Sequence, residues 1–123
     1  MIENNTLNNT EKLLESAIRG MQEKKGSHIV DLNLGNIEHA VCTHFLICHG
    51  DSNRQVEAIA QSVQEFIKEN TKENPWHKEG FQNADWILLD YADVVIHIFS
   101  KETRNFYNLE GLWADADITI IEE

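Results

Sequence analysis

Residues 86–99, Trp-Ile-Leu-Leu-Asp-Tyr-Ala-Asp-Val-Val-Ile-His-Ile-Phe, hold two apolar runs divided by four residues. Trp86–Leu89 and Val94–Phe99 read as strands, rich in β-branched and aromatic side chains. A parallel crossover needs a dozen or more residues, so the link Asp90-Tyr91-Ala92-Asp93 admits only an antiparallel hairpin. Strand alternation places His97 on the face of Val95 and Phe99.

Upstream, Thr43–Cys48 is almost wholly apolar, the mark of a strand buried on both faces and central in its sheet. His28–Leu34 forms a strand before the Gly35-Asn36 turn. Between these strands and the hairpin lies a long helix, opened by Ser52 and Gln55 at capping-box spacing. Its stripe of Val56, Ile59, Ala60, Val63, Phe66 and Ile67 faces a core down to about Asn70. Pro75 follows in a polar linker. A first helix spans Thr10 to Lys25, with Leu14, Ala17, Ile18 and Met21 on one face and Gly26 as its stop. Gly20 inside it is unfavourable. Downstream, Ser100 caps a third helix from Lys101 to Leu112, with Phe106, Leu109 and Trp113 along one side. Asp117–Glu123 is a short edge strand or a frayed tail. Together these predict one small mixed α/β domain, a four- to five-stranded sheet flanked by helices. With 123 residues, the chain has room for no second domain.

Ten Lys and Arg stand against 21 Asp and Glu, a formal net charge of -11. Proteins that grip nucleic acid phosphates carry the opposite balance. The excess is concentrated: residues 79–123 hold ten acids against Lys101 and Arg104, a net of -8. An acidic working face for a basic partner fits that asymmetry, as does plain solubility. The Asn-rich start lacks a signal-peptide pattern and no apolar run could span a bilayer, so the expected location is cytoplasmic, away from membranes.

Catalytic and metal constellations are hard to find. Cys42, His44, Cys48 and His49 fall close together, but an extended strand sets the two thiols roughly 20 Å apart, too far for a disulfide or a shared metal. They read as buried free thiols. Gly50-Asp51-Ser52 opens a helix after a buried strand, as a phosphate site would. Nucleotidyl transfer also needs paired carboxylates for Mg²⁺, and the next strand has no Asp-x-Asp or Asp-x-Glu. There is no P-loop or dinucleotide fingerprint, no nucleophile turn and no HExxH. No catalytic residue, metal ligand or cofactor is assigned. A nucleotidyltransferase-like phosphotransfer enzyme is the first alternative reading, an acidic adaptor for another basic protein the second.

The residues that stand out are Trp86, Asp90, Tyr91, Asp93, His97, Phe106, Tyr107, Glu110 and Trp113. Aromatics set among charges are the composition of a protein-binding hot spot. The tryptophans suit either core or interface. Asp90, Tyr91, Asp93 and Glu110 fall on turns or helix surface, where partners are met.

Residues 86–99 with Arg104-Asn-Phe-Tyr-Asn-Leu-Glu-Gly-Leu-Trp113 closely resemble the ribosomal silencing factor (RsfS/Iojap) family. Phe45-Leu-Ile-Cys-His-Gly-Asp-Ser-Asn-Arg-Gln-Val56 and Glu79-Gly80 fit its other motifs, and the likeness covers about residues 10–117. That leaves 1–9 as a flexible start and 118–123 as a tail. Members usually have Asp-Tyr where this chain has Thr43-His44, and Gly in the hairpin turn where it has Ala92. The resemblance implies a nucleotidyltransferase-like fold without catalysis. It also implies binding to protein fourteen (uL14) of the large subunit, blocked joining of 30S and 50S, translational repression, and often a homodimer when free. In that role the four aromatics Trp86, Tyr91, Tyr107 and Trp113 frame the contact. Asp90, Asp93 and Glu110 pair with basic groups, and His97 and Arg104 orient neighbours through hydrogen bonds, Arg104 either inside the domain or on the partner.

Overall fold

A computed structural model describes residues 8–122. The elements in chain order are α1 (Asn9–Glu23), β1 (Ser27–Asn33), β2 (His44–Gly50), α2 (Asn53–Thr71), β3 (His77–Glu79), β4 (Trp86–Asp90), β5 (Val94–Ser100), α3 (Lys101–Tyr107), α4 (Leu109–Leu112) and β6 (Asp117–Ile120). Positions 1–7 of the expected flexible start, and Glu123 of the tail, lie outside the described residues. Asn8 and Asn9 belong to the first helix: Asn8 caps α1 in a reciprocal capping box with Glu11.

The sheet has six strands, in the order β3-β4-β5-β2-β1-β6, rather than the four or five expected. β5 and β2 are parallel and central; every other neighbouring pair is antiparallel. The hairpin is present, with Trp86 opposite Phe99 and Asp90 opposite Val95. The extra strands are the edges. β3 arises in the stretch after Pro75 that reads as a linker, and its residues are all exposed. β6 settles the tail as an edge strand on β1. β3, His-Lys-Glu, carries no apolar alternation, so pairing with β4 creates it, not propensity; β6, Asp-Ile-Thr-Ile, does alternate.

One face of the sheet is closed by α1 and α2. Leu46, Cys48, Ile87, Leu89, Val94, Ile96 and Ile98 pack there against Leu14, Ala17, Met21, Val56, Ile59, Val63 and Ile67. Gly20, unfavourable by propensity, sits where the helices meet. A Cβ there would lie 2.7 Å from Val63 Cα, and the Gly20 carbonyl accepts from Ser62 Oγ at 2.8 Å. Close packing outweighs the loss of about 1 kcal/mol in propensity. Phe66, placed in the core stripe by spacing, is only half-buried. Ser52 caps α2 through the Gln55 N–H, but the Gln55 side chain accepts from Asp51 N rather than completing a capping box.

The opposite face carries a smaller core of Val30, Leu32, Leu34, Phe45, Ile47, Val95, Phe99 and Leu109. The single third helix expected there is broken. Asn108, at φ 46 and ψ 57, ends α3 and caps α4 with its side chain. The break sends Phe106 to solvent, 81% exposed, while Leu109 stays buried. α3 packs on β5 and β2. The β3-β4 half of this face is left with Trp86 and Leu88 only half-buried.

Candidate functional site

The hairpin register decides what reaches the half-open face. Trp86, Leu88 and Asp90 of β4 share it with Val95, His97 and Phe99 of β5, because Leu88 lies opposite His97 and side chains alternate. β3 extends the face at its edge, setting Glu79 opposite Leu88 and His77 opposite Asp90. Glu79, Gly80, Trp86 and Leu88 enclose a cavity of about 180 Å³.

An aromatic row runs from this cavity across the sheet. Trp86 lies 4.9 Å, ring centre to ring centre, from both Tyr107 and Phe99, and Tyr107 is 5.0 Å edge-on from Phe106. On its other side Trp86 Nε1–H donates to His97 Nδ1 at 3.1 Å. His97 meets Phe45 edge-on at 4.8 Å, and Phe45 meets Trp113 at 5.6 Å. Because Nδ1 accepts, the neutral ring carries its proton on Nε2, which is buried without a hydrogen-bond partner. Burial lowers the His97 pKa from 6.5 to about 4. His97 thus fixes the indole plane from below as a neutral imidazole. Phe106 is largely exposed and Tyr107 half so, which leaves apolar surface at the end of the row open to solvent.

The structure brings Trp86, Asp90, His97, Tyr107 and Trp113 to this face and takes the other candidates elsewhere. Tyr91 was expected at the surface, but it is 3% exposed and sits in the core beneath α1 and α2. Continuing the alternation of β4, Tyr91 falls on the side of Ile87 and Leu89, away from Trp86. Its hydroxyl has no hydrogen-bond partner, and burial, then the Glu73 charge, raises its pKa. Asp93 closes the turn: its carbonyl accepts from Thr43 N at 2.9 Å and His44 N at 3.1 Å. Asp90 carries a structural duty as well, accepting from Ala92 N at 2.8 Å.

Glu110, expected to meet a partner, is paired within the domain. Arg104 is 7% exposed, and its Nη2 and Nε donate to Glu110 Oε2 at 2.7 and 3.2 Å. Its Nη1 donates to the His28 carbonyl at 2.8 Å and meets His49 Nδ1 at 3.0 Å. Desolvation, with the guanidinium charge beside it, keeps the His49 pKa below its usual value. Arg104 and Glu110 therefore clamp α3 and α4 onto β1 and β2.

Sequence reasoning missed Leu88 and Glu79 as parts of this face, and it named Phe106 among the conspicuous aromatics while also setting it on a helix side with Leu109. Alternation from Trp86 points to Leu88, and Glu79-Gly80 is noted in the sequence without a role. Nothing local shows Phe106 leaving the core, because that follows from the break at Asn108.

The two thiols are free, Cys42 half-buried rather than buried, and burial pushes Cys48 up to about 12. Among the described residues no group of three His, Cys, Asp or Glu side chains is placed to hold a metal, and no helix is long and apolar enough to cross a membrane.

Comparison with known proteins finds similar chains over nearly the whole length. The family model described as "Ribosomal silencing factor during starvation" matches residues 7–123. The chain is 40% identical over 112 residues to a ribosomal silencing factor of Halalkalibacterium halodurans, covering 91% of this chain and 94% of that one. It is 39% identical to the Bacillus subtilis ribosomal silencing factor, covering 93% and 95%. A crystal structure of a Chromobacterium violaceum protein superposes with a TM-score of 0.80 at 30% identity, covering 95% of each chain.

Proposed function

Because the chain belongs to the ribosomal silencing factor family, we propose that it acts in the cytoplasm as a non-catalytic anti-association factor. It binds the large ribosomal subunit through protein fourteen (uL14), bars the 30S subunit from joining, and so represses translation. The observation that carries this reading is the half-open sheet face. Trp86 packs on Tyr107, which meets exposed Phe106, and acidic Glu79 and Asp90 lie on the same face from β3 and β4. Rigid aromatics beside charges supply a hot spot, and the acids favour a basic protein surface over rRNA. Two free copies could cover the same apolar surface as a homodimer.

The enzyme alternative would use the C-terminal ends of parallel β2 and β5, where α2 begins. One of the cations there, Arg104, is paired with Glu110, and the Asp51 N–H is taken by Gln55. That arrangement favours the binding reading.

The test is sedimentation of the pure protein with purified 50S and 30S particles, followed by 70S assembly. Co-migration with 50S alone and a drop in 70S are expected. Co-migration with neither particle, or undiminished 70S, would overturn the proposal. Stabilisation by Mg²⁺ with ATP or CTP in a thermal-shift assay would favour the enzyme instead.

A further inference from the structure

We infer that the cavity between Glu79 and Trp86 is an arginine subsite, filled by one guanidinium side chain of the basic partner protein. This rests on the family-based reading of the face and adds to it the chemistry of a single contact.

The cavity, about 180 Å³, has an aromatic and aliphatic lining in Trp86 and Leu88 and a carboxylate in Glu79. Glu79 Oε2 is engaged by His77 Nε2, and Oε1 makes no hydrogen bond among the described residues. The neighbouring cation in sequence, Lys78, is turned to the other face, where Nζ donates to Gln64 on α2 and lies over the Phe81 ring. The acid is therefore not neutralised by the chain's own lysine. Asp90, two residues along β4 from Leu88, adds negative charge to the same face.

Gly80 makes the cavity possible. Its φ is 91°, and a Cβ there would lie 1.9 Å from the Trp86 carbonyl oxygen. Only glycine brings the end of β3 close enough to set Glu79 beside the indole.

An acid over an apolar, aromatic surface matches arginine better than lysine. The guanidinium is planar and weakly hydrated, stacks on an indole, and donates in a fork to a carboxylate. A lysine ammonium would have to shed a tighter water shell to enter. A nucleic acid phosphate is repelled by Glu79.

The experiment titrates purified large subunits with the full chain and with Glu79→Gln, Glu79→Lys and, as control, Glu57→Gln on the exposed side of α2. Each is measured at low and at physiological ionic strength. Glu79 is exposed at a sheet edge, so unchanged melting temperatures are expected. Loss of one charge-assisted contact should weaken Glu79→Gln about tenfold, with a shallower salt dependence, and Glu79→Lys further. Glu57→Gln should match the parent. If Glu79→Gln binds as tightly as the parent with the same salt dependence, the subsite is overturned and the family reading stands. If the parent itself fails to bind, both fall.

Discussion

Ala92, in the hairpin turn, holds a left-handed backbone at φ 74. The Asp93 N–H donates to the Tyr91 carbonyl at 3.0 Å, making a three-residue turn centred on Ala92. A left-handed non-glycine residue costs about 1–2 kcal/mol, partly offset by the entropy a glycine would lose. Ala92→Gly should therefore stabilise the protein by roughly 0.5–1 kcal/mol, read as a higher urea midpoint with unchanged slope. His97 makes the second residue-scale prediction. Its folded pKa of about 4 lies below the unfolded 6.5, so between those values the unfolded chain binds more protons. Stability is full above about pH 6.5 and falls as the pH drops toward 4, by on the order of 3 kcal/mol for this group. Protonation would also remove the acceptor for Trp86. In His97→Gln the slope of unfolding free energy against pH should flatten, with a remainder from His49, which is shifted the same way. An equal slope in both proteins would refute this.

Among the elements, interior strands are legible, the β6 edge is readable as one of two alternatives, and the β3 edge is not legible at all. β2 and β5 are buried along almost their whole length, so their composition alone announces them. β3 is three exposed residues, His-Lys-Glu, with no strand pattern to read. It exists because Gly80 lets the chain double back onto β4. Gly80→Ala should destabilise by about 2 kcal/mol or more, since a Cβ would meet the Trp86 backbone and φ is positive. Hydrogen exchange should show protection lost first at Lys78 and Leu88, whose strands pair there. Protection lost evenly across the sheet would contradict the local origin. The α3–α4 break is a matter of one residue as well. Asn108 tolerates the left-handed region and its side chain caps α4, signals present in the sequence but weaker there than the helical spacing around them.

For the whole molecule, the decisive asymmetry is between the two faces of the sheet. α1 and α2 close one face over its central strands, while the short α3 and α4 leave the β3-β4 part of the other exposed. Trp86→Ala should cost about 2 kcal/mol in binding to large subunits, roughly thirtyfold, with little change in uptake by 30S particles. Titration of subunits with the folded variant checks this, and an unchanged affinity would move the binding surface elsewhere. The net charge of -11 and its concentration in residues 79–123 are properties of composition, legible before any fold is known. So are the hairpin, the two central strands, α1 and α2, and the family motifs, because each depends on neighbours a few residues apart. Which aromatics and charges share a surface depends on register and on contacts between residues far apart in the chain. Pleating sends Tyr91 into the core and keeps Trp86 on the open face. Folding brings Arg104 to His28 and His49, so it and Glu110 are spent on stability. Pairing of a patternless strand delivers Glu79 to Trp86. Such distances are set by hydrogen-bonded register and close packing of the assembled sheet, which local propensity does not encode.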